Sequence, residues 1–160
     1  MSGMKGDGSG AAEWRREAEL RKQFARCFHD VGPAAALPLA EELAELLTEK
    51  GHLSSVVWCD IWEARGRLDK AVEIGRDNID GCVAELADRA ARVSDASAFR
   101  EDVEDLLDSY YFQAKRYLAM GVPGAARATM AEAHDLASQY HVPFDETLQG
   151  LFNELGEGQL

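Results

Sequence analysis

An all-α chain of about seven helices, paired as antiparallel hairpins, follows from three features of the sequence. Apolar residues recur at i, i+4, i+7, i+8 and i+11, the spacing that lines one face of a 3.6-residue helix. Glycine, alone or beside proline, punctuates these segments at Gly32-Pro33, Gly51, Gly66 and Gly121-Val122-Pro123-Gly124. No stretch of length alternates as a half-buried strand would, and the links between helical patterns are two to five residues, short enough to make neighbours antiparallel.

The first helix is expected from Ala12 to about Asp30, with Trp14 opening a face that continues through Leu20, Phe24, Cys27, Phe28 and Val31. Gly32 tolerates the backbone that ends a helix and Pro33 suits the first turn of the next. The second helix runs to about Lys50, with Leu37, Ala40, Leu43, Ala44 and Leu47 inward and Glu41, Glu42, Glu45 and Glu49 outward. A third, from about Leu53 to Ala64, presents Val56, Val57, Trp58, Ile61 and Trp62 for packing before Gly66 closes it.

A fourth helical stretch opens near Leu68 and extends to about Val93 as one helix or two, because Gly75 and Gly81 each weaken it by about 1 kcal/mol relative to alanine. Asp95 or Ser97 caps the next helix, which reaches about Met120 with Phe99, Val103, Leu106, Leu107, Tyr110, Ala114, Tyr117 and Leu118 inward. Glu101, Asp102, Glu104, Asp105 and Asp108 make its solvated face. After Gly121 comes a helix of small residues, Ala125, Ala126, Ala128, Met130, Ala133, Leu136 and Ala137. Past Pro143, Phe144, Leu148, Leu151, Phe152 and Leu155 form the face of the last helix, which either caps the preceding hairpin or docks a partner.

With 160 residues, of which 46% are hydrophobic and 29% charged, the chain suits one core. The expected organisation is a flexible lead-in over 1–11, a single helical-repeat domain over 12–155 and a tail over 156–160. Met1 to Gly10 has one Lys5 among Gly and Ser with no apolar stretch behind it, which does not suit a secretory signal. The longest nearly uncharged apolar stretch, Val31 to Ala40, is ten residues interrupted by Gly32, Pro33 and Pro38, whereas a membrane span needs about 20. Cys27, Cys59 and Cys82 are odd in number and lack CxxC spacing, which suits buried thiols in a reducing compartment and a cytoplasmic location. The 17 Lys and Arg against 29 Asp and Glu give a net charge of -12, a field that disfavours nucleic acid and anionic lipid and favours encounter with a basic partner.

Gly32 and Gly66 are 66 - 32 = 34 residues apart, the period of a known helix-turn-helix repeat. Around Gly121 the residues Ala114, Tyr117, Ala126, Met130 and Ala133 alternate small and large as that repeat requires. Around Gly66 stand Cys59, Trp62 and Ala71, followed by the departures Gly75 and Asn78; around Gly32 stand Ala25, Phe28 and Ala44, with Leu37 and Glu41 departing. On these residues the chain resembles the tetratricopeptide repeat family over roughly residues 17–49, 51–80 and 109–140. The spacing 121 - 66 = 55 interrupts the array, so that residues 83–108 are an insertion or an extension of two helices.

The resemblance implies a short tetratricopeptide-like α-α superhelix whose first helix in each hairpin lines a groove for a peptide or helical segment of another protein. Carried over residue by residue, the partner-binding positions are Lys22, Arg26 and His29, then Asp60 and Glu63, then Tyr111 and Lys115. Family members that clamp a terminal carboxylate pair Lys with Asn; here Arg26 follows Lys22, a departure that puts that activity in doubt. In length, acidity and repeat content the chain also resembles the small tetratricopeptide chaperones of bacterial protein secretion.

No catalytic constellation accompanies these features. GxxxxGK[ST], a strand before GxGxxG, GxSxG and HExxH are all missing, and Cys27 and His29 point about 200° apart on a helix. His134 and His141 share a spacing but no carboxylate motif. The expectation is therefore a non-enzymatic adaptor or chaperone-like module with a protein or peptide partner and no cofactor, metal, nucleic acid or membrane. The competing expectations are a helical-bundle enzyme or small-ligand binder with a pocket at His29, Cys59 or His134, and a structural subunit of an assembly, which would self-associate.

Overall fold

The computed structural model describes residues 2–52 and 56–157, with side chains described over 10–52, 56–95 and 97–156. Among the described residues seven α-helices make up the fold: α1 (Ser2–Asp30), α2 (Leu37–Glu49), α3 (Val57–Ala64), α4 (Leu68–Ala90), α5 (Arg100–Ala119), α6 (Pro123–Gln139) and α7 (Glu146–Glu157), with a 3-10 turn at Ala96–Phe99. No strand occurs among the described residues, and no helix there is long and apolar enough to cross a membrane. The chain divides into two compact units, Met1–Ala71 and Val72–Leu160. Hairpin folds bury apolar surface between sequence neighbours, so a chain of this length does not have to share one core.

Helix endings repeat one piece of backbone chemistry. At Gly51, Gly66 and Gly121 the backbone turns left-handed, with φ of 74°, 78° and 79°. In each case the next amide reaches back over the last turn: His52 N–H to Leu47 O, Arg67 N–H to Trp62 O, and Val122 N–H to Tyr117 O, all at 2.9–3.0 Å. This is the Schellman ending, in which a left-handed residue lets two terminal carbonyls find donors. The α6 terminus uses the same bond, Val142 N–H to Ala137 O at 2.9 Å, with His141 in the left-handed position at φ 57°.

The first unit packs α1 on α2 and α2 on α3. Leu20, Phe24 and Phe28 of α1, Ala40, Leu43, Ala44 and Leu47 of α2, and Trp58, Cys59, Ile61 and Ala64 of α3 are buried. Four residues expected inward are exposed. Trp14 is 68% exposed because α2 ends at Glu49 while Lys50 donates to Glu13 O, so α1 continues beyond its cover. Val31, Leu37 and Val56 lie just past or at the ends of their helices, where helical phase no longer sets direction. Backbone helix also begins at Ser2, so the lead-in expected over 1–11 is helical from Ser2. No proline interrupts that stretch, and a helix nucleated downstream extends at one bond per residue. The expected start of the third helix at Leu53 lies outside the described residues.

In the second unit, α4 to α7 close around Ile79, Val103, Leu107, Tyr110, Ala114, Met130 and Ala133, among others. The small residues on α5 and α6 let the two helices lie close, and Ala114, Ala126 and Ala133 are fully buried between them. Leu148, Leu151 and Leu155 of α7 join the same core, so the chain itself covers this face. The interval 83–108 is an extension of α4 and α5 around the 3-10 turn, which Asp95 caps by accepting from Ser97 N–H at 3.0 Å. Asp145 caps α7 in the same way, accepting from Leu148 N–H at 2.8 Å.

Candidate functional site

The residues singled out by sequence fall on three helices. Lys22, Arg26 and His29 are exposed on α1, spaced four and three apart and therefore on one stripe. Asp60 and Glu63 on α3 are half-buried and engaged by neighbours. Tyr111 and Lys115 are one turn apart on α5; Tyr111 packs partly against the core of the second unit and meets Phe112 edge-on at 5.5 Å, while Lys115 is exposed. Within the first unit, the α1 stripe is basic and the α3 pair acidic.

The more developed feature is a groove between α2 and α3, which contains none of the partner-binding positions expected from the sequence. It is lined by Glu41, Glu42, Glu45, Thr48 and Glu49 on one side and Trp58, Trp62 and Arg65 on the other, and it opens over about 800 Å³. The Trp58 ring is buried and fixed by a 2.8 Å bond from its Nε1 to His52 O; the Trp62 ring is half-buried. Arg65 lies across the groove wall. Its guanidinium carbon is 4.6 Å from the centre of the Trp62 ring and 5.9 Å from that of Trp58. Its Nε and Nη2 donate to the two carboxylate oxygens of Glu41 at 2.6 and 3.1 Å.

This fork holds the Glu41 carboxyl below its ordinary range, first through the Arg65 hydrogen bonds. Glu41, at the position where the repeat pattern calls for a large apolar residue, is exposed and reaches outward to α3. Glu42 is taken by Arg16 of α1 at 3.0 Å. Glu45 and Glu49 have no cation within ion-pair distance among the described residues. The sequence carries the signal for this groove in two parts, a run of glutamates on one helix and two tryptophans in five residues on the next, but each part separately reads as solvated face or core.

No protein-family model matches the chain, and no curated protein or solved structure is significantly similar to it. The chemistry of the groove therefore rests on its own residues.

The cysteines and histidines are dispersed. Cys59 is buried in the first unit, Cys27 is half-buried, and Cys82 is exposed, contrary to the expectation that all three thiols sit in the core. His134 is exposed and stacks on Phe152 at 4.9 Å with Phe144 edge-on at 5.4 Å, a surface aromatic cluster at the α6–α7 junction. Among the described residues no group of three or more His, Cys, Asp or Glu is placed to hold a metal ion.

Proposed function

We propose that the chain is a protein-interaction module, adaptor or chaperone-like in kind, that binds a peptide or helical segment of a partner protein. The observation that carries this reading is the α2–α3 groove, an open channel with an aromatic floor and a charged rim. Aromatic surface beside polar groups is the composition of protein-binding patches, where flat rings supply contact area at low conformational cost. The α5–α6 hairpin adds support to the tetratricopeptide-like element of the reading, since Ala114, Ala126, Met130 and Ala133 are all buried at the positions the repeat requires. The exposed α1 stripe of Lys22, Arg26 and His29 and the α5 pair Tyr111 and Lys115 are the further contact positions.

The test is affinity capture with the full chain, comparing wild type with Trp62→Ala and with a Lys22→Ala, Tyr111→Ala, Lys115→Ala variant. Circular dichroism establishes that each variant keeps its helical content. Loss of one retained protein by either variant supports the module; retention at wild-type strength by both removes it.

A further inference from the structure

We propose that the α2–α3 groove takes an arginine-bearing, cationic segment of the partner protein. This rests on the interaction-module reading and adds the chemistry of the occupant. Arg65 provides the first argument, because it displays how this groove holds a guanidinium. Its plane has an aromatic face at Trp62 and a carboxylate fork at Glu41, the two surroundings that a planar, weakly hydrated cation with fixed donors favours.

The second argument is the unequal use of the four glutamates. Arg65 satisfies Glu41 and Arg16 satisfies Glu42, whereas Glu45 and Glu49 carry charge at the groove wall with no cation in ion-pair distance among the described residues. They are four residues apart on α2, one turn, so they face the same way with an axial offset of about 6 Å. Alternate side chains of an extended peptide are about 6.6 Å apart, and residues i and i+4 of a helix match the same offset. Two basic side chains of either conformation therefore reach both carboxylates while the intervening chain lies over the tryptophans. The net charge of -12 speeds the approach of any cation without choosing where it lands, so the location must come from the groove itself.

The experiment titrates a short, end-blocked oligo-arginine peptide into the full-length protein by calorimetry at moderate salt, with an end-blocked oligo-glutamine peptide as the neutral probe. Glu45→Gln with Glu49→Gln is compared with Glu101→Gln and Glu154→Gln, an exposed pair outside the groove that removes the same charge. The groove pair is expected to weaken oligo-arginine binding by about threefold to tenfold, and the control pair by less than about twofold. Equal weakening by the two pairs overturns the proposal, because the protein's field alone would then explain binding. Equal affinity for both peptides overturns it as well and leaves a groove that binds without regard to charge, so the module reading stands. Absence of peptide binding, together with a partner captured through Trp62, removes the cationic occupant alone; absence of both removes the two readings together.

Discussion

The Gln113 side chain of α5 crosses the α4 backbone at Gly75. Its Nε2 donates to Val72 O at 2.8 Å, and its Oε1 occupies the place a β-carbon on Gly75 would take, with Cδ 3.1 Å from that point. Gln113 is fully buried, and Oε1 has no hydrogen-bond donor. The glycine that weakens α4 locally is thus the residue that admits its neighbour, and α4 runs unbroken from Leu68 to Ala90.

Gly75→Ala should therefore destabilise the protein, although helix propensity alone favours alanine by about 1 kcal/mol. The added methyl displaces the Gln113 amide and leaves it buried without its bond, which costs about 1–3 kcal/mol, so a net loss of about 1 kcal/mol is expected in urea unfolding. In a Gln113→Ala background the same glycine substitution should become neutral or stabilising. Equal effects in both backgrounds would separate the two residues energetically.

His141→Gly should stabilise by about 0.5–1 kcal/mol, because His141 holds the left-handed position that three other helix ends give to glycine. Gly121→Ala should lose about 1 kcal/mol for the converse reason. Thermal unfolding of the two variants checks the opposite signs.

Glu17 lies between Arg21 at 3.2 Å and Lys50 at 3.2 Å, with its side chain only 14% exposed. Burial works against its charge, but Lys50 and Arg21 more than offset this and lower its pKa. The unfolded chain then binds the proton at higher pH than the folded one, so this contribution is present at neutral pH and is lost as pH falls through the folded-state value. Glu17→Gln should cost about 1 kcal/mol at neutral pH, with the difference from wild type vanishing below the ordinary carboxylate range.

Asp108 has the opposite sign. Partial desolvation is the largest cause of its raised pKa, and the carboxylates of Asp145, Asp105 and Glu104 add to it. The folded state therefore holds this proton where the unfolded state has released it, and stability falls as pH rises through that window. Asp108→Asn should stabilise at neutral pH, by roughly a few tenths of a kcal/mol since the residue remains exposed to screening water. A pH series that gave the variant no advantage above the carboxylate range would contradict this account.

The helices and turns are legible in the sequence because Gly51, Gly66 and Gly121 answer a local backbone demand that a sequence states openly. The inner faces of α5 and α6 are legible for a similar reason, their periodicity continuing uninterrupted from Val103 to Ala137 except at the turn. What stays hidden depends on a second element: Gly75 is a mere weak point or a required gap according to where Gln113 lies, and Trp14 is covered or bare according to where α2 stops. The groove is hidden for the same reason. Glu45 and Glu49 are outward in any amphipathic reading of α2, and only the arrival of Trp58 and Trp62 from α3 turns that outward face into a wall. The seven carried-over positions lie on exposed or half-buried surface of α1, α3 and α5, and none of them lines this groove.

The division at Ala71 also sorts the chromophores. All three tryptophans, Trp14, Trp58 and Trp62, belong to the first unit, and all four tyrosines, Tyr110, Tyr111, Tyr117 and Tyr140, to the second. Indole emission and phenol absorbance are consequently two clocks set in different halves of one polypeptide. A denaturation series recorded in both colours would read whether the halves melt at one midpoint or at two, with no label attached.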